Sequence, residues 1–188
     1  YFFFYNFSNN EVHLNSVQLP KLRKKKLKII NIGFVGRLEK EKGVNIFFNL
    51  AKYMKNSEFK FHMFGDGSLK SKEFKNKNIF KYKWSNQKKI FKIIDILLLT
   101  SPVENCPFSV LEAKSYGIPT LSISKGGVKE IIENYKDGII LEENINDEKI
   151  KKNLLLIKKN FYKYRINCIK NRIKFDEKVN FSKLLKKI

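Results

Sequence analysis

Short apolar runs that end at a glycine or a polar turn, each followed by a segment of helical period, recur from Ile29 to Leu141, and this rhythm leaves few folds open. Ile29–Val35 (IINIGFV) runs into Gly36. Val44, Phe47, Phe48, Ala51 and Met54 then fall three and four residues apart, which predicts a helix over Val44–Met54. Phe59–Phe64 runs into Gly65-Asp66-Gly67, Ile79–Tyr82 reads as a short strand and Gln87–Ile94 as a short helix. Asp95–Thr100 (DILLLT) is continuously apolar, as in a strand buried on both faces. A helix over Pro107–Tyr116 ends at Gly117, Thr120–Ser124 is the next strand, Val128–Asn134 a helix and Gly138–Leu141 a final strand. Strands alternating with helices in this way imply an α/β fold of parallel βαβ units with right-handed crossovers. Ligands of such sheets bind beyond the carboxyl ends of the strands. The glycine-rich and acidic stretches all follow a strand, so they are expected to gather along one edge.

The stretch between the fourth and fifth strands, Ser101–Pro119 (SPVENCPFSVLEAKSYGIP), carries the most chemistry. Glu104 and Glu112 stand eight positions apart, about two turns on one continuous helix. Pro107 lies between them, and proline suits the first turn of a helix and not its middle. The spacing predicts a loop carrying Glu104, a helix start near Pro107–Ser109 and Glu112 about one turn inside it. Backbone N–H groups at a helix start, with the positive end of its dipole, suit a phosphate. One acid before that start and one after it can grip hydroxyls on either side of a diphosphate, as a sugar-nucleotide binder requires.

These residues resemble the Glu-x7-Glu signature of retaining glycosyltransferases with the GT-B fold, in the group called glycosyl transferases group 1. Three more stretches resemble that family in the same order: Gly36-Arg37-Leu38 with Lys42-Gly43 its GRL…KG loop, Gly65-Asp66-Gly67 its G-x-G turn, and Gly126-Gly127-Val128-x-Glu130 with Gly138 its GG-x-x-E…G stretch. The likeness runs from about Ile29 to Leu141. It implies a Rossmann-like parallel sheet flanked by helices, the C-terminal donor-binding half of a GT-B fold, with a helical C-terminal tail. It also implies sugar transfer from a nucleotide-diphosphate sugar to an acceptor hydroxyl with retention, in polysaccharide or glycolipid synthesis. In the family the leaving phosphate helps to deprotonate the acceptor. The donor is a substrate, and neither cofactor nor metal is expected; no Asp-x-Asp pair, a common cue for a metal-dependent donor site, occurs in the sequence.

By the same resemblance Arg37 and Lys42 neutralise the donor diphosphate and stabilise it as a leaving group, while Glu104 contacts donor-sugar hydroxyls; these three are the expected catalytic residues. Glu112 holds the ribose, the amides of Phe108 and Ser109 face the phosphates or sugar, and Gly36 and Gly65 belong to the donor-binding turns. Trp84 either lines the base pocket or is a core or surface aromatic. Gly126-Gly127 either lets backbone approach the ligand or makes a plain turn. Asp66 reads as a turn residue, His62 as a packed strand histidine, and Cys106 as a small apolar filler with no histidine near in sequence to activate it.

A chain of 188 residues can bury one good core with an appendage. Residues 29–149 are expected to form the donor-binding domain. Residues 1–28, opening with YFFFYNF, are expected to be the linker and remnant of an N-terminal domain that carries the acceptor site, so that the fragment alone binds donor without turnover. YFFFYNF lacks the basic start and the length of a signal peptide. Residues 150–188 read as helices: Ile150, Leu154, Ile157 and Phe161 form one stripe, Tyr162, Ile166, Ile169 and Ile173 a second, and Phe181, Leu184, Leu185 and Ile188 a short last piece. Core-facing stripes with solvated lysine faces are expected here ahead of a membrane-surface helix. No apolar run approaches the ~18 residues of a membrane span.

A net charge of +21 invites an anionic partner. Of 39 basic residues only 4 are arginine, however, and base reading leans on arginine. The motif-rich residues 101–150 carry 5 basic and 9 acidic groups, which repel a polyanion. Nucleic acid is set aside on these grounds, whereas lysine clusters suit peripheral association with an anionic membrane. Cys106 and Cys168, with only His13 and His62 beside them, make neither a disulfide framework nor a metal set. Reduced thiols fit a cytoplasmic setting, at the inner face of the membrane. The rival from another class is a nucleotide-sugar binding module without transfer activity; a GT-B epimerase or phosphorylase is disfavoured by the pairing of Glu-x7-Glu with GRL…KG.

Overall fold

The computed structural model describes residues 17–19, 29–55, 57–69, 76–142 and 145–176. The opening YFFFYNF, the remainder of 1–28 apart from 17–19 and 29 onward, and the piece containing Phe181, Leu184, Leu185 and Ile188 lie outside the described residues. In chain order the elements are β1 (Ile30–Val35), α1 (Val44–Tyr53), β2 (Phe59–Phe64), β3 (Ile79–Tyr82), α2 (Gln87–Ile93), β4 (Ile96–Leu99), β5 (Val103–Glu104), α3 (Phe108–Ser115), β6 (Thr120–Ser122), β7 (Lys125–Gly126), α4 (Val128–Ile131), β8 (Gly138–Ile140), α5 (Asp147–Lys159) and α6 (Phe161–Asn171). Six strands form one parallel sheet in the order β3-β2-β1-β4-β6-β8, and β5 pairs with β7 apart from it. The expected α/β class, a Rossmann-like parallel sheet flanked by helices, is the observed fold.

Strand alternation divides the apolar residues between two faces. Ile30, Ile32 and Phe34 of β1 and Phe59, Phe61 and Met63 of β2 meet Val44, Phe47 and Leu50 of α1, with Ile150, Leu154 and Ile157 of α5. Val35, Phe64, Leu97 and Leu99 point the other way, onto Ile90 and Phe91 of α2, Val110 and Leu111 of α3, and Val128 and Ile131 of α4. Burying each such side chain contributes about 1.5–3 kcal/mol. The strand order changes direction between β1 and β4: the chain builds outward to β2 and β3, then returns to the other side of β1. Loops leaving two strands at such a point diverge and open a crevice.

α4 stops at Ile131, short of the expected Asn134, because the Asn134 side chain accepts the Ile140 amide at 3.0 Å and Tyr135 takes a left-handed φ of 59°. α5 begins at Asp147, where the Asn146 side chain accepts the Lys149 amide at 2.8 Å. The inward stripe expected of α6 is corrected. Tyr162, Ile166 and Ile173 are 58%, 51% and 59% exposed, and the buried positions are Phe161, Tyr164, Arg165 and Cys168. Polar anchors set this rotation. Arg165 Nη1 donates to the carbonyls of Tyr116 and Gly117 at 3.2 and 2.8 Å, and Cys168 Sγ donates to the Asp137 carbonyl at 3.0 Å. Arg172 Nη1 adds a bond to the Ser115 carbonyl at 2.9 Å. Two guanidinium groups thus satisfy the last carbonyls of α3, where helix geometry leaves acceptors without partners and the dipole favours cations.

Candidate functional site

The turn after β1 and the turn after β2 are tied into one unit. Gly36 N donates to the Phe64 carbonyl at 3.1 Å, Leu38 N to the Asp66 carbonyl at 2.9 Å, and Leu69 N back to the Leu38 carbonyl at 3.1 Å. Gly36 and Gly65 therefore lie together, as the sequence motifs suggest. Asp66 accepts the Gly67 amide at 2.9 Å, a turn residue as expected. Glu39 accepts the Ser68 hydroxyl and the Ser68 amide, and these bonds hold its carboxyl below the usual range.

Lys42 ends a 3-10 turn, Lys40–Lys42, and is followed by Gly43 at φ 68°. A Cβ on Gly43 would stand 2.0 Å from the Thr100 carbonyl oxygen, so only glycine fits between this turn and the end of β4. The Thr100 hydroxyl donates to the Lys42 carbonyl at 3.0 Å and closes the same contact. Lys42 Nζ is thereby carried to Glu104, donating to its Oε1 at 2.7 Å, with the two side chains 28% and 17% exposed. Residues 62 positions apart meet where the loops after β1 and β4 diverge.

Glu104 sits on the short strand β5, where a loop was expected. β7 pairs with it, and Gly127 N donates to the Glu104 carbonyl at 3.0 Å. A Cβ on Gly127 would lie 1.7 Å from the Asn105 carbonyl oxygen. The close approach that Gly126-Gly127 permits is thus to the chain's own Glu104–Asn105 backbone, and it fixes where Glu104 stands.

α3 starts at Phe108, directly after Pro107, with Ser109 in its first turn and Glu112 one turn inside. The Pro107 carbonyl takes the Val110 amide at 3.0 Å, and no side chain caps this start. Glu112 Oε1 accepts Gln87 Nε2 at 2.6 Å. Burial pushes the Glu112 carboxyl above its ordinary range, and the Gln87 bond pulls it partly back. The two residues line an open cleft of about 460 Å³ together with Trp84, Asn86, Lys88 and Tyr116. Trp84 stands at the cleft's lip, 65% exposed. Arg37 stands apart from Lys42 in partnership: it pairs with Glu41, the two side chains being 66% and 62% exposed.

Gln87 was missed because its partner lies 25 positions away and nothing local in the sequence marks the contact. A buried ion pair behind the site was also missed. Lys114 Nζ meets Asp137 Oδ2 at 2.6 Å, with side-chain exposures of 4% and 0%, and also donates to the Ile131 carbonyl. Asp137 further accepts Asn171 Nδ2 at 2.8 Å and the Glu133 amide at 2.9 Å. The available signal was spacing: Lys114 follows Val110 and Leu111 by four and three positions, on the helix side that faces the core.

His62 is a packed strand histidine, 6% exposed. Its Nε2 contacts Asn31 Oδ1 at 2.9 Å and its Nδ1 the Tyr82 hydroxyl at 3.2 Å. Asn31 Nδ2 donates to Asp95 at 2.8 Å, so Asn31 Oδ1 is the acceptor and the His62 proton is assigned to Nε2. Cys106 is half-buried and packs against the second core face, consistent with a filler. Among the described residues no helix is long and apolar enough to cross a membrane.

The profile of the family described as "Glycosyl transferases group 1" matches residues 18–175. The chain is 30% identical over 116 residues to an uncharacterized 41.2 kDa protein in the cps region of Klebsiella pneumoniae, covering 60% of this chain and 32% of that protein. It is 30% identical over 123 residues to the UDP-Gal:alpha-D-GlcNAc-diphosphoundecaprenol alpha-1,3-galactosyltransferase of Escherichia coli, covering 58% of this chain and 32% of that enzyme. The crystal structure of TarM from S. aureus superposes with a TM-score of 0.76 at 22% identity, covering 91% of this chain and 37% of that one. The chain thus spans about a third of the length of these curated relatives. With a profile match over most of its length, the chain belongs to the glycosyl transferases group 1 family and has the fold of the C-terminal-type domain of GT-B glycosyltransferases.

Proposed function

We propose that this chain is the donor-binding part of a glycosyltransferase, holding a nucleotide-diphosphate sugar for transfer to an acceptor hydroxyl with retention, in polysaccharide or glycolipid synthesis. The observation that carries the reading is the 2.7 Å contact of Lys42 with Glu104 at the point where the β1 and β4 loops diverge. It brings a cation suited to a diphosphate and a carboxylate suited to sugar hydroxyls to one place. α3 starts four residues beyond Glu104, and Glu112 leads from it into the cleft that Trp84 also lines. The base would stack at Trp84, the ribose would bond to Glu112, the diphosphate would lie along Lys42, Arg37 and the amides of Phe108 and Ser109, and the hexose would face Glu104. Gly36 and Gly65 shape the turn beside it.

In the transfer step the bond from the anomeric carbon to the phosphate oxygen breaks and a bond to the acceptor oxygen forms on the same face. The acceptor proton passes to the leaving phosphate, whose charge Lys42 and Arg37 offset. As the diphosphate enters, Lys42 exchanges a carboxylate for a phosphate and Glu104 is released to accept sugar hydroxyls. The acceptor glycan or glycolipid would be held by sequence outside this donor half. Calorimetry with UDP, GDP and ADP, with and without EDTA, tests the reading. One of the three is expected to bind, and equally well with the chelator; binding that disappears on chelation contradicts the metal-free donor site. The second reading, a nucleotide-sugar binding module without transfer, gains ground if the chain joined to an acceptor half still only binds.

A further inference from the structure

The cleft that holds Glu112 and Gln87 has a cationic mouth. Lys88 lines the cleft, Lys83 directly precedes Trp84 at its lip, and Lys92 follows Lys88 by one helical turn. All three are exposed, and among the described residues no acid pairs with any of their ammonium groups. From Lys77 to Ile94 the chain has six lysines and no Asp or Glu. Glu112 is the one acid among the residues that line the cleft, and Gln87 engages it. In a lysine-rich chain exposed lysines need no explanation in themselves, but these positions do. Lys88 stands in the first turn of α2, which has no acid, and a cation there opposes the helix dipole. Lys88 and Lys92 are like charges four residues apart, which repel. Neither placement helps α2 to form, so their use lies at the cleft.

We propose that Lys83, Lys88 and Lys92 are an electrostatic rim that captures the anionic donor, a nucleoside diphosphate or its sugar conjugate, and sets how fast it enters the cleft. The proposal rests on the donor reading of the site and adds to it a kinetic role for residues outside the contacts given there. In that reading the diphosphate lies along Lys42 and Arg37 and the base at Trp84, so the rim lysines act on the phosphates across solvent and not by direct bonds. Such a field reaches about 10 Å at 0.1 M ionic strength and about 3 Å at 1 M. It speeds the encounter of opposite charges and leaves dissociation nearly as it is. A lysine that instead bonded the base would act on dissociation and would keep its effect in salt.

Trp84 is the chain's one tryptophan and stands at the cleft's lip, so its fluorescence reports occupancy. The test is stopped-flow mixing of the full 188-residue chain with whichever of UDP, GDP and ADP binds it in calorimetry, at ionic strengths of about 0.1 M and about 1 M. The Lys83→Gln, Lys88→Gln, Lys92→Gln variant is expected to associate roughly fivefold or more slowly at the lower ionic strength and within about twofold of the unmodified chain at the higher one. Its dissociation is expected to change less than about twofold at either. Lys55→Gln with Lys152→Gln and Lys159→Gln removes the same charge from exposed positions on α5 and just past α1, across the sheet from α2, and should slow association less than about twofold. Equal slowing by both sets of changes, slowing that persists at the higher ionic strength, or a change confined to dissociation overturns the proposal while the donor reading stands. Calorimetric binding with no change in Trp84 fluorescence places the ligand away from this cleft and overturns both, as does the absence of binding by all three nucleotides.

Discussion

Glu112 has to be charged to bond a ribose, yet it stands where burial favours its neutral form. Gln87 offsets part of that cost by donating at 2.6 Å to one oxygen, leaving the other for a ligand. The sign follows directly. The folded carboxyl titrates above its ordinary value, so burial of the charged form penalises the fold above that pKa and the penalty is relieved as pH falls. Ligand binding runs the other way and is lost as pH falls through the raised value. Gln87→Ala removes the contribution that lowers the pKa, so the acid limb of nucleotide binding is expected at higher pH than in the unmodified chain. A pH series of calorimetric titrations checks this, and an unmoved midpoint contradicts the role given to Gln87. At Lys42 the expected effect on binding is on affinity and not on its pH dependence. Lys42→Ala should weaken diphosphate binding by about 1.5–3 kcal/mol, the worth of a charge-assisted hydrogen bond. Loss well below that range would place the phosphates elsewhere.

At the scale of elements, α3 is the piece that must be held still. Arg165 and Arg172 bond its last carbonyls, and Lys114 pins its inner side to Asp137. Removing one member of a buried ion pair leaves an uncompensated charge, at a cost of about 3–5 kcal/mol. Asp137→Ala is therefore expected to lower stability by that order in denaturant melts, and Lys114→Met added to it to recover much of the loss. Should the double variant be no more stable than Asp137→Ala, the pair is not acting as a unit. The sheet has its own polar seam, Tyr82–His62–Asn31–Asp95, which joins β3, β2, β1 and the start of β4. Burial first, with Lys60 adding to it against an opposing pull from Asp95, lowers the His62 pKa to about 4. An unfolded histidine takes its proton near ~6.5, so between the two values the unfolded chain binds more protons and stability falls as pH falls, by up to about 3 kcal/mol. His62→Gln should flatten the pH dependence of the melting temperature in this window. An unchanged slope would mean that other groups carry it.

The elements themselves were legible in the sequence because their signals are local. β2 and β3 occupy the spans expected of them, since a short apolar run bounded by turn residues has few alternatives. The face of α6 was not legible: apolar spacing favours Tyr162, Ile166 and Ile173, but bonds from Arg165 and Cys168 to distant carbonyls decide the rotation. The geometry of the candidate site was half legible for the same reason. The motifs mark Lys42, Glu104 and Glu112, whereas the contacts that place them, Gly43 on Thr100 and Gln87 on Glu112, join residues far apart in sequence.

Over the whole molecule, the parallel sheet carries two regions that the proposed donor site would join: Lys42 and Glu104 at the crevice between β1 and β4, and Glu112 with Trp84 in the cleft beside α2. α5 helps to hold the scaffold rigid by burying Ile150, Leu154 and Ile157 against the first face of the sheet. Leu154→Ala is expected to cost about 2–5 kcal/mol in denaturant melts while leaving the nucleotide affinity of the remaining folded protein unchanged; a matching loss of affinity would mean that the site and the core are not separable. The 188-residue chain alone is expected to bind donor without transferring sugar, and robust transfer to a defined acceptor would contradict that. The central claim is that the edge is one donor site divided between ribose and hexose. Calorimetric titration of Glu112→Gln and Glu104→Gln with the preferred nucleoside diphosphate and with its sugar conjugate tests it most directly. Glu112→Gln should weaken both ligands by roughly 10- to 150-fold, while Glu104→Gln should leave the bare diphosphate nearly unchanged and weaken only the conjugate. Equal loss of the bare diphosphate in both variants would contradict the division, and no effect of either variant on either ligand would contradict the site.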